Sequence, residues 1–483
     1  MDLHYRSARQ LARLVRTRRV SALELLEHHL DRVTRHDAGL KALCVLDVVA
    51  ARKRARAADR AAARGEWWGP LHGVPMTVKE SFDVVGLPTT WGLPELAGNV
   101  ATTDAVAVQR LRGAGAIIFG KSNVPVMLSD WQTFNPLYGT TSNPWDTRRV
   151  PGGSSGGAAA ALAAGLSALE IGSDIGASIR DPAHYCGVYG HKPTYGVCCG
   201  DGHRFPRWVT GNDMAVIGPL ARSAADLDLS LRLIAGPGAV DGRGWTVHLP
   251  KAPARPWKQW RVAVLTDADT APVDDAVQAR VRAVADFAAT RGARVSDRAR
   301  PAIDLAQAHH LFIRLLRAAT SRAMADEPFA RWQGRARKTN PGATDYVSWM
   351  AQGVTMTHRE WLACNDARHR LRLAWEDFFR DWDVLLCPAA ATTAFPHNQT
   401  GERWERMLSV NGRPQPSTTQ MFWAGYSGMA YLPSTVAPAG LAPDGLPVGV
   451  QIVGPQYGDH TCIAFAAQLE KDFGGFVPPP GYD

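Results

Sequence analysis

Pro151-Gly152-Gly153-Ser154-Ser155-Gly156-Gly157 runs directly into the alanine-rich stretch Ala158–Ala164, and a short stretch, Ala168–Ile171, follows it. The glycines free the backbone for turns and close approaches that a Cβ would block. The alanine-rich stretch predicts a helix whose positive end faces the glycine-serine loop and favours developing negative charge there. Ala168–Ile171 predicts a strand. It leads into a second loop, Ser173-Asp174-Ile175-Gly176-Ala177-Ser178, which runs toward Pro182, a residue suited to a first helical turn.

Working outward, strands and helices keep alternating. Upstream, residues 7–17, 21–35 and 48–64 predict three helices, the second opened by a capping box of Ser21 and Glu24. Trp67-Trp68-Gly69-Pro70 breaks that pattern, and a strand Val74–Val78 delivers Lys79. Thr103–Gly113 then predicts a helix and Ala116–Phe119 a strand. Downstream come a helix at Ala224–Ile234, a strand at Arg261–Leu265, a helix at Asp275–Thr290 and buried strands at Val384–Cys387 and Val448–Val453. Such alternation predicts an α/β layered fold around a mostly parallel or mixed sheet. Residues 300–380 read as helical and aromatic-rich, an insertion or cap. Without internal repeats or a low-complexity linker, one domain over 1–483 is expected. Its parts are N-terminal helices (5–65), a core (66–240), a helical insertion (270–380), and C-terminal core strands with a helix (381–475).

The bulk composition excludes several function classes. Of 483 residues, 46% are hydrophobic and 20% charged, which suits a large buried core and excludes wholesale disorder. The net charge of +9 is carried largely by arginines at 6–19 and 51–64, interleaved with Ala and Leu at helical spacing. That reads as solvated helix faces, so no nucleic-acid partner is expected. Seven cysteines without a CxxC pair read as reduced thiols of a cytoplasmic protein. A zinc set of His184, Cys186, Cys198 and Cys199 is disfavoured, because adjacent cysteines rarely both reach one tetrahedral ion. The basic N-terminus lacks an apolar signal core and no run of 18 apolar residues occurs, so neither export nor membrane insertion is expected.

The chemistry sits in the two loops and the lysine. Successive N–H groups of Ile175, Gly176, Ala177 and Ser178 suit a nest for an oxyanion, with the Ser178 hydroxyl as nucleophile. Lys79 serves as a base only if burial lowers its pKa from the reference of about 10.4. The rival reading pairs Lys79 with the adjacent Glu80, and the residues leave both open. Three decoys compete. Gly115–Ser122 matches the P-loop pattern letter for letter, but its middle four residues form an apolar strand and Asn123-Val124-Pro125 discourages the helix that should follow. A nucleophile elbow centred on Ser154 or Ser155 needs a preceding strand, which Thr147–Pro151 makes poorly. It also needs a partner among His184, His191, His203, His309 and His310. A flexible linker is not normally bracketed by well-patterned elements.

At these residues the chain resembles the amidase signature family of serine hydrolases. The matching text is Gly73-Val74-Pro75 with Val78-Lys79, Gly120-Lys121-Ser122-Asn123, Asn143-Pro144-Trp145-Asp146, Pro151 to Gly157, Gly172 to Arg180 and Cys186 to Thr194. Gly218-Pro219-Leu220-Ala221-Arg222-Ser223 and Pro447 to Gly454 extend it. The resemblance is dense between about 70 and 235. It implies a mixed, twisted β-sheet covered on both faces by helices. It also implies a triad of Lys79 as general base, Ser154 as bridging serine after a cis peptide bond, and Ser178 as nucleophile. Ser155 becomes a supporting hydrogen-bonding residue, and Asp174 with Arg180 braces the nucleophile loop. Neither a metal nor an organic cofactor is implied.

One departure stands out: Ala177 occupies the place of the family's second glycine. If that position requires φ > 0, the methyl group costs roughly 1 kcal/mol or more, and slower or shifted activity is expected. Gly428-Met429-Ala430 stands where Gly-x-Pro is commoner.

The expected activity is cleavage of a small-molecule amide through a seryl acyl-enzyme. The same intermediate serves acyl transfer and ester cleavage. A subunit role, as in the tRNA-dependent amidotransferase, is the further alternative, and a homodimer is left open. With sixteen tryptophans in the chain, Met127, Trp131, Phe134, Tyr138, Trp423 and Tyr426 are candidates for an apolar pocket suited to an aryl or medium acyl amide, against plain core packing.

Overall fold

The computed structural model describes residues 3–252, 254–340 and 342–482. The N-terminal helices form at Ala8–Arg16, Ala22–Leu40 and Val48–Ala63. Ser21 and Glu24 close their capping box, each side chain accepting the other's backbone N–H. Ser7 and Gln10 do the same one helix earlier.

The main sheet has eight strands. From one edge they run Arg294–Ser296, Arg261–Val264, Val384–Pro388, Pro447–Val453, Ser434–Leu441, Tyr189–Lys192, Val216–Ala221 and Glu170–Asp174. Only the first three strands pair in parallel; the rest of the sheet is antiparallel, so it is mixed and helices flank it. The strand expected at 168–171 lies two to three residues later, at Glu170–Asp174, so Ser173 and Asp174 belong to the sheet edge and not to a loop.

A smaller sheet of three strands, Leu43–Leu46, Ile117–Ser122 and Pro75–Lys79, packs against that edge. Thr77 joins the two sheets, its N–H donating to Ser167 Oγ at 3.0 Å and its hydroxyl bonding Glu170. The P-loop look-alike is the buried strand Ile117–Ser122, and Lys121 Nζ is spent on Pro88 O and Thr89 Oγ1.

The helix Gly156–Ala163 is buried on every side. A Cβ on Gly157 would fall 2.4 Å from Asn123 N and 2.6 Å from Ala42 O, so backbone meets backbone there. The helical segment expected over 270–380 opens with helix Asp275–Thr290 and edge strand Arg294–Ser296, which belong with the main sheet. Helices then fill the remainder: Leu305–Thr320, Asp326–Ala336, Tyr346–Val354 and His358–Asp381. Phe312, Leu316, Met421 and Ala177 share one apolar cluster, which docks this segment on the loop after strand Glu170–Asp174. Among the described residues no helix is long and apolar enough to cross a membrane.

Candidate active site

Strand Pro75–Lys79 ends where edge strand Glu170–Asp174 and the Gly152–Gly157 loop converge, and the Lys79 side chain has no exposed surface. Its Nζ lies 2.7 Å from Ser154 Oγ, 3.0 Å from Ser155 Oγ and 2.9 Å from Ser173 Oγ. Three hydroxyls and no carboxylate surround the amine. Burial pushes its pKa down to about 7, against the more distant pull of Asp174, Asp181 and Glu80. Glu80 is not its partner: that carboxylate accepts the backbone N–H groups of Thr90 and Trp91. Ser173 carries no signal in the sequence, because as a loop residue it would have no fixed direction.

The Gly153–Ser154 peptide bond is cis. A Cβ on Gly153 would stand 2.3 Å from Asp130 O and 2.8 Å from Gln132 O, so only glycine fits before Ser154. Ser155 ties the two loops together: its N–H donates to Ser178 O at 3.1 Å, while its Oγ faces the backbone of Ser173. Ser154 Oγ and Ser178 Oγ share no hydrogen bond, and both residues line one cavity of about 470 Å³.

The loop after the edge strand is shaped by Asp174. Its carboxylate pairs with Arg180 and accepts the N–H groups of Ala177 and Ile179. Despite full burial it is held below the usual carboxylate range by the Arg180 guanidinium. The Ala177 N–H is therefore not an open donor, which corrects the expected nest. The N–H groups of Ile175, Gly176 and Ser178 have no acceptor among the described residues, and those three residues line the cavity. Ala177 takes φ +79°, the left-handed conformation that glycine would accept without strain. Trp131 Nε1 donates to Gly176 O at 2.7 Å and fixes that peptide's direction.

Asp181 adds a second buried carboxyl, accepting Gly153 N–H at 3.2 Å. Burial pushes its pKa well up.

Of the six candidate pocket residues, Met127 and Trp131 line the cavity, and Phe134 and Tyr138 are not among its lining residues. Trp423 and Tyr426 pack in a core cluster with Trp375 and Phe422. Cavity residues that the sequence does not flag include Trp91, Leu316, Arg317, Arg403 and Met421, and His203, singled out only as an elbow partner, lines the cavity too. None of the five candidate elbow histidines bonds Ser154 or Ser155: His184 faces the backbone of Gly449 and Thr392, His191 bonds Thr435 and Asp459, and His203 bonds Ser81. His309 meets Trp349 edge-on and His310 stacks on it. With both ring nitrogens on backbone groups, His184 is not poised as a zinc ligand either.

The amidase family profile matches residues 24–463. A glutamyl-tRNA(Gln) amidotransferase subunit from Anaeromyxobacter sp. (strain K) is 34% identical, the match covering 96% of each chain. Indoleacetamide hydrolase of Bradyrhizobium diazoefficiens is 33% identical over 97% of this chain and 86% of its own. A solved bacterial aryl acylamidase of the amidase signature family superposes with a TM-score of 0.82 at 26% identity, covering 98% of this chain and 97% of its own.

Proposed function

The chain belongs to the amidase signature family and is an amide hydrolase, and from that premise we propose that Lys79, Ser154 and Ser178 carry the reaction. Neutral Lys79 takes a proton from Ser154 as Ser154 takes one from Ser178, and the Ser178 oxygen attacks the amide carbonyl. The N–H groups of Ile175, Gly176 and Ser178 stabilise the oxyanion; removing one such donor typically costs about 3 kcal/mol of transition-state stabilisation. The relay then returns its proton to the leaving amine, and water cleaves the acyl-enzyme along the same path. Ser155 and Ser173 orient the amine, while Asp174 and Arg180 hold the nucleophile loop.

The observation that carries this reading is a buried lysine amine among three hydroxyls with its pKa brought near neutrality. A cation without a carboxylate is costly to bury, whereas a neutral amine is not, and a neutral amine is the form a base requires. The test is covalent labelling with a fluorophosphonate followed by peptide mass mapping. Label on Ser178, absent in Ser178→Ala and sharply slowed in Lys79→Ala, is the expected outcome. Label on Ser155 that depends on a histidine defeats it.

Acyl transfer to an amine or alcohol shares this acyl-enzyme, and product analysis with a competing nucleophile separates it from hydrolysis. The similarity to one chain of an amidotransferase favours a second reading, a partner-dependent role. Full turnover of free amides by the purified chain argues against that reading. Its seven free cysteines support a cytoplasmic location, and the whole of 1–483 is taken as one domain acting on a small-molecule amide.

A further inference from the structure

Arg317 lies near the end of helix Leu305–Thr320 and lines the same cavity as Ser154 and Ser178, with 6% of its surface exposed. Its Nη2 bonds the Tyr346 hydroxyl and lies 4.0 Å from Met421 Sδ, and its buried Nε has no partner among the described residues. The two aspartates that line the cavity are already committed, Asp130 to Arg406 at 2.7 Å and Asp174 to Arg180 at 2.9 Å. Elsewhere the chain compensates its buried guanidiniums. Arg368 meets Asp213 at 2.7 Å, and Arg222 donates to the carbonyls of Leu162, Ser167 and Arg6. Among the described residues Arg317 has neither kind of partner, its guanidinium facing only the Tyr346 ring at 5.6 Å besides that hydroxyl and the Met421 sulfur. A second guanidinium, Arg403, lines the cavity too, with Nη1 on Ser129 O. Burial, with Arg403 nearby, lowers the Arg317 pKa to about 10, which leaves it a cation at neutral pH.

A planar, charged fork buried at a cavity wall without an anion is unfavourable until a ligand supplies one. The distance to the chemistry is short. Met421, which touches Arg317, also comes within 3.2 Å of where a Cβ would stand on Gly176. A single methionine side chain thus separates the guanidinium from the nucleophile loop. We propose that Arg317 is a specificity-determining residue that binds a carboxylate carried by the amide substrate, a short span from the scissile bond. This rests on the hydrolase reading above and narrows it: the substrate is an anionic amide, with the cavity's aromatic walls suiting an aryl spacer.

The experiment compares kcat/KM for two matched pairs, benzamide against 4-carbamoylbenzoate and acetanilide against 4-acetamidobenzoate, so that the carboxylate sits on the acyl side or the amine side. For the unmodified enzyme, at least one anionic member is expected to exceed its neutral partner on the order of 100-fold, mainly through KM, the scale set by leaving one member of a buried charge pair unmatched. Arg317→Gln is expected to shrink that ratio by a similar factor, and Arg317→Lys to restore part of it. Neutral and anionic members turned over within threefold of each other by the unmodified enzyme overturn the proposal, whatever the variants do. So does an Arg317→Gln variant that slows both members equally, the mark of a merely structural arginine. If Ser178 takes the fluorophosphonate and neutral amides turn over without a carboxylate preference, only the anion site fails. If Ser178 stays unlabelled and none of the four amides turns over, the hydrolase mechanism beneath it fails as well.

Discussion

Asp174 and Arg180 meet through two nitrogen–oxygen contacts of 2.9 Å, with neither side chain exposed. The same carboxylate accepts two backbone N–H groups of the nucleophile loop, so one side chain sets both its charge balance and its shape. Asp174→Asn keeps the volume but leaves Arg180 buried without its anion. Loss of one partner of a buried pair typically costs about 3–5 kcal/mol. Urea unfolding is expected to show a loss of that order, with fluorophosphonate labelling of Ser178 slowed in parallel. A variant within about 1 kcal/mol of the parent would contradict this assignment.

As the proposed base, Lys79 gives the reaction a pH dependence of defined direction. Only the neutral amine accepts a proton, so kcat/KM is expected to rise with pH through about 7 and then level off. Lys79→Arg puts a permanent cation in the same place, and activity is expected to fall at least about 10³-fold with no recovery at alkaline pH. Stability follows by linkage. Between about 7 and the ordinary lysine value the unfolded chain binds the extra proton, so stability rises with pH across that window, by at most about 1.4 kcal/mol per pH unit. Lys79→Met removes that slope. Urea midpoints from pH 7 to 9.5 check it, and identical slopes for parent and variant would refute a depressed lysine.

How far the sequence predicts this arrangement depends on the kind of signal. Ala224–Ile234 and Asp275–Thr290 form over the residues that their apolar spacing marks out. Strands Tyr189–Lys192, Val216–Ala221 and Ser434–Leu441 are hidden because glycine and proline punctuate them, normally the sign of a turn. Those residues answer to tertiary contacts: a Cβ on Gly218 would fall 2.2 Å from His191 O across the sheet. At the site, Lys79, Ser154 and Ser178 sit in distinctive local text. Ser173 and Arg317 do not, since a neighbour across two sheets and the absence of a carboxylate are properties of the folded chain alone.

Ala177 poses a question of sign. Its left-handed φ costs about 1–2 kcal/mol. Against that, its methyl group is fully buried, worth about 0.8 kcal/mol, and a glycine would add roughly 0.4–1 kcal/mol of unfolded-state entropy. These nearly cancel, so Ala177→Gly is expected to change stability by less than about 1 kcal/mol. Because the Ala177 N–H is spent on Asp174, turnover should change less than tenfold. Ala177→Val puts a β-branched residue in a conformation such residues almost never adopt, and a loss above about 2 kcal/mol is expected. A hundredfold change in kcat for Ala177→Gly would show that this peptide does reach the oxyanion.

Glu170 supplies the opposite linkage to Lys79. It is fully buried where the two sheets meet, bonded among the described residues by the hydroxyls of Thr77 and Ser122, and burial raises its pKa to about 8. Here the folded state holds the proton that the unfolded chain releases above about 4.5, so the stabilisation present at acid pH is lost progressively as pH climbs toward 8. Glu170→Gln presents an uncharged amide of the same size to the same two hydroxyls. It is expected to remove the decline and to gain about 3 kcal/mol over the parent near pH 7, the integral of one proton across that interval. Urea midpoints measured between pH 5 and 8 test this. The two curves should converge toward pH 5 and separate as pH rises, whereas parallel curves would mean that Glu170 is ionised at the sheet junction.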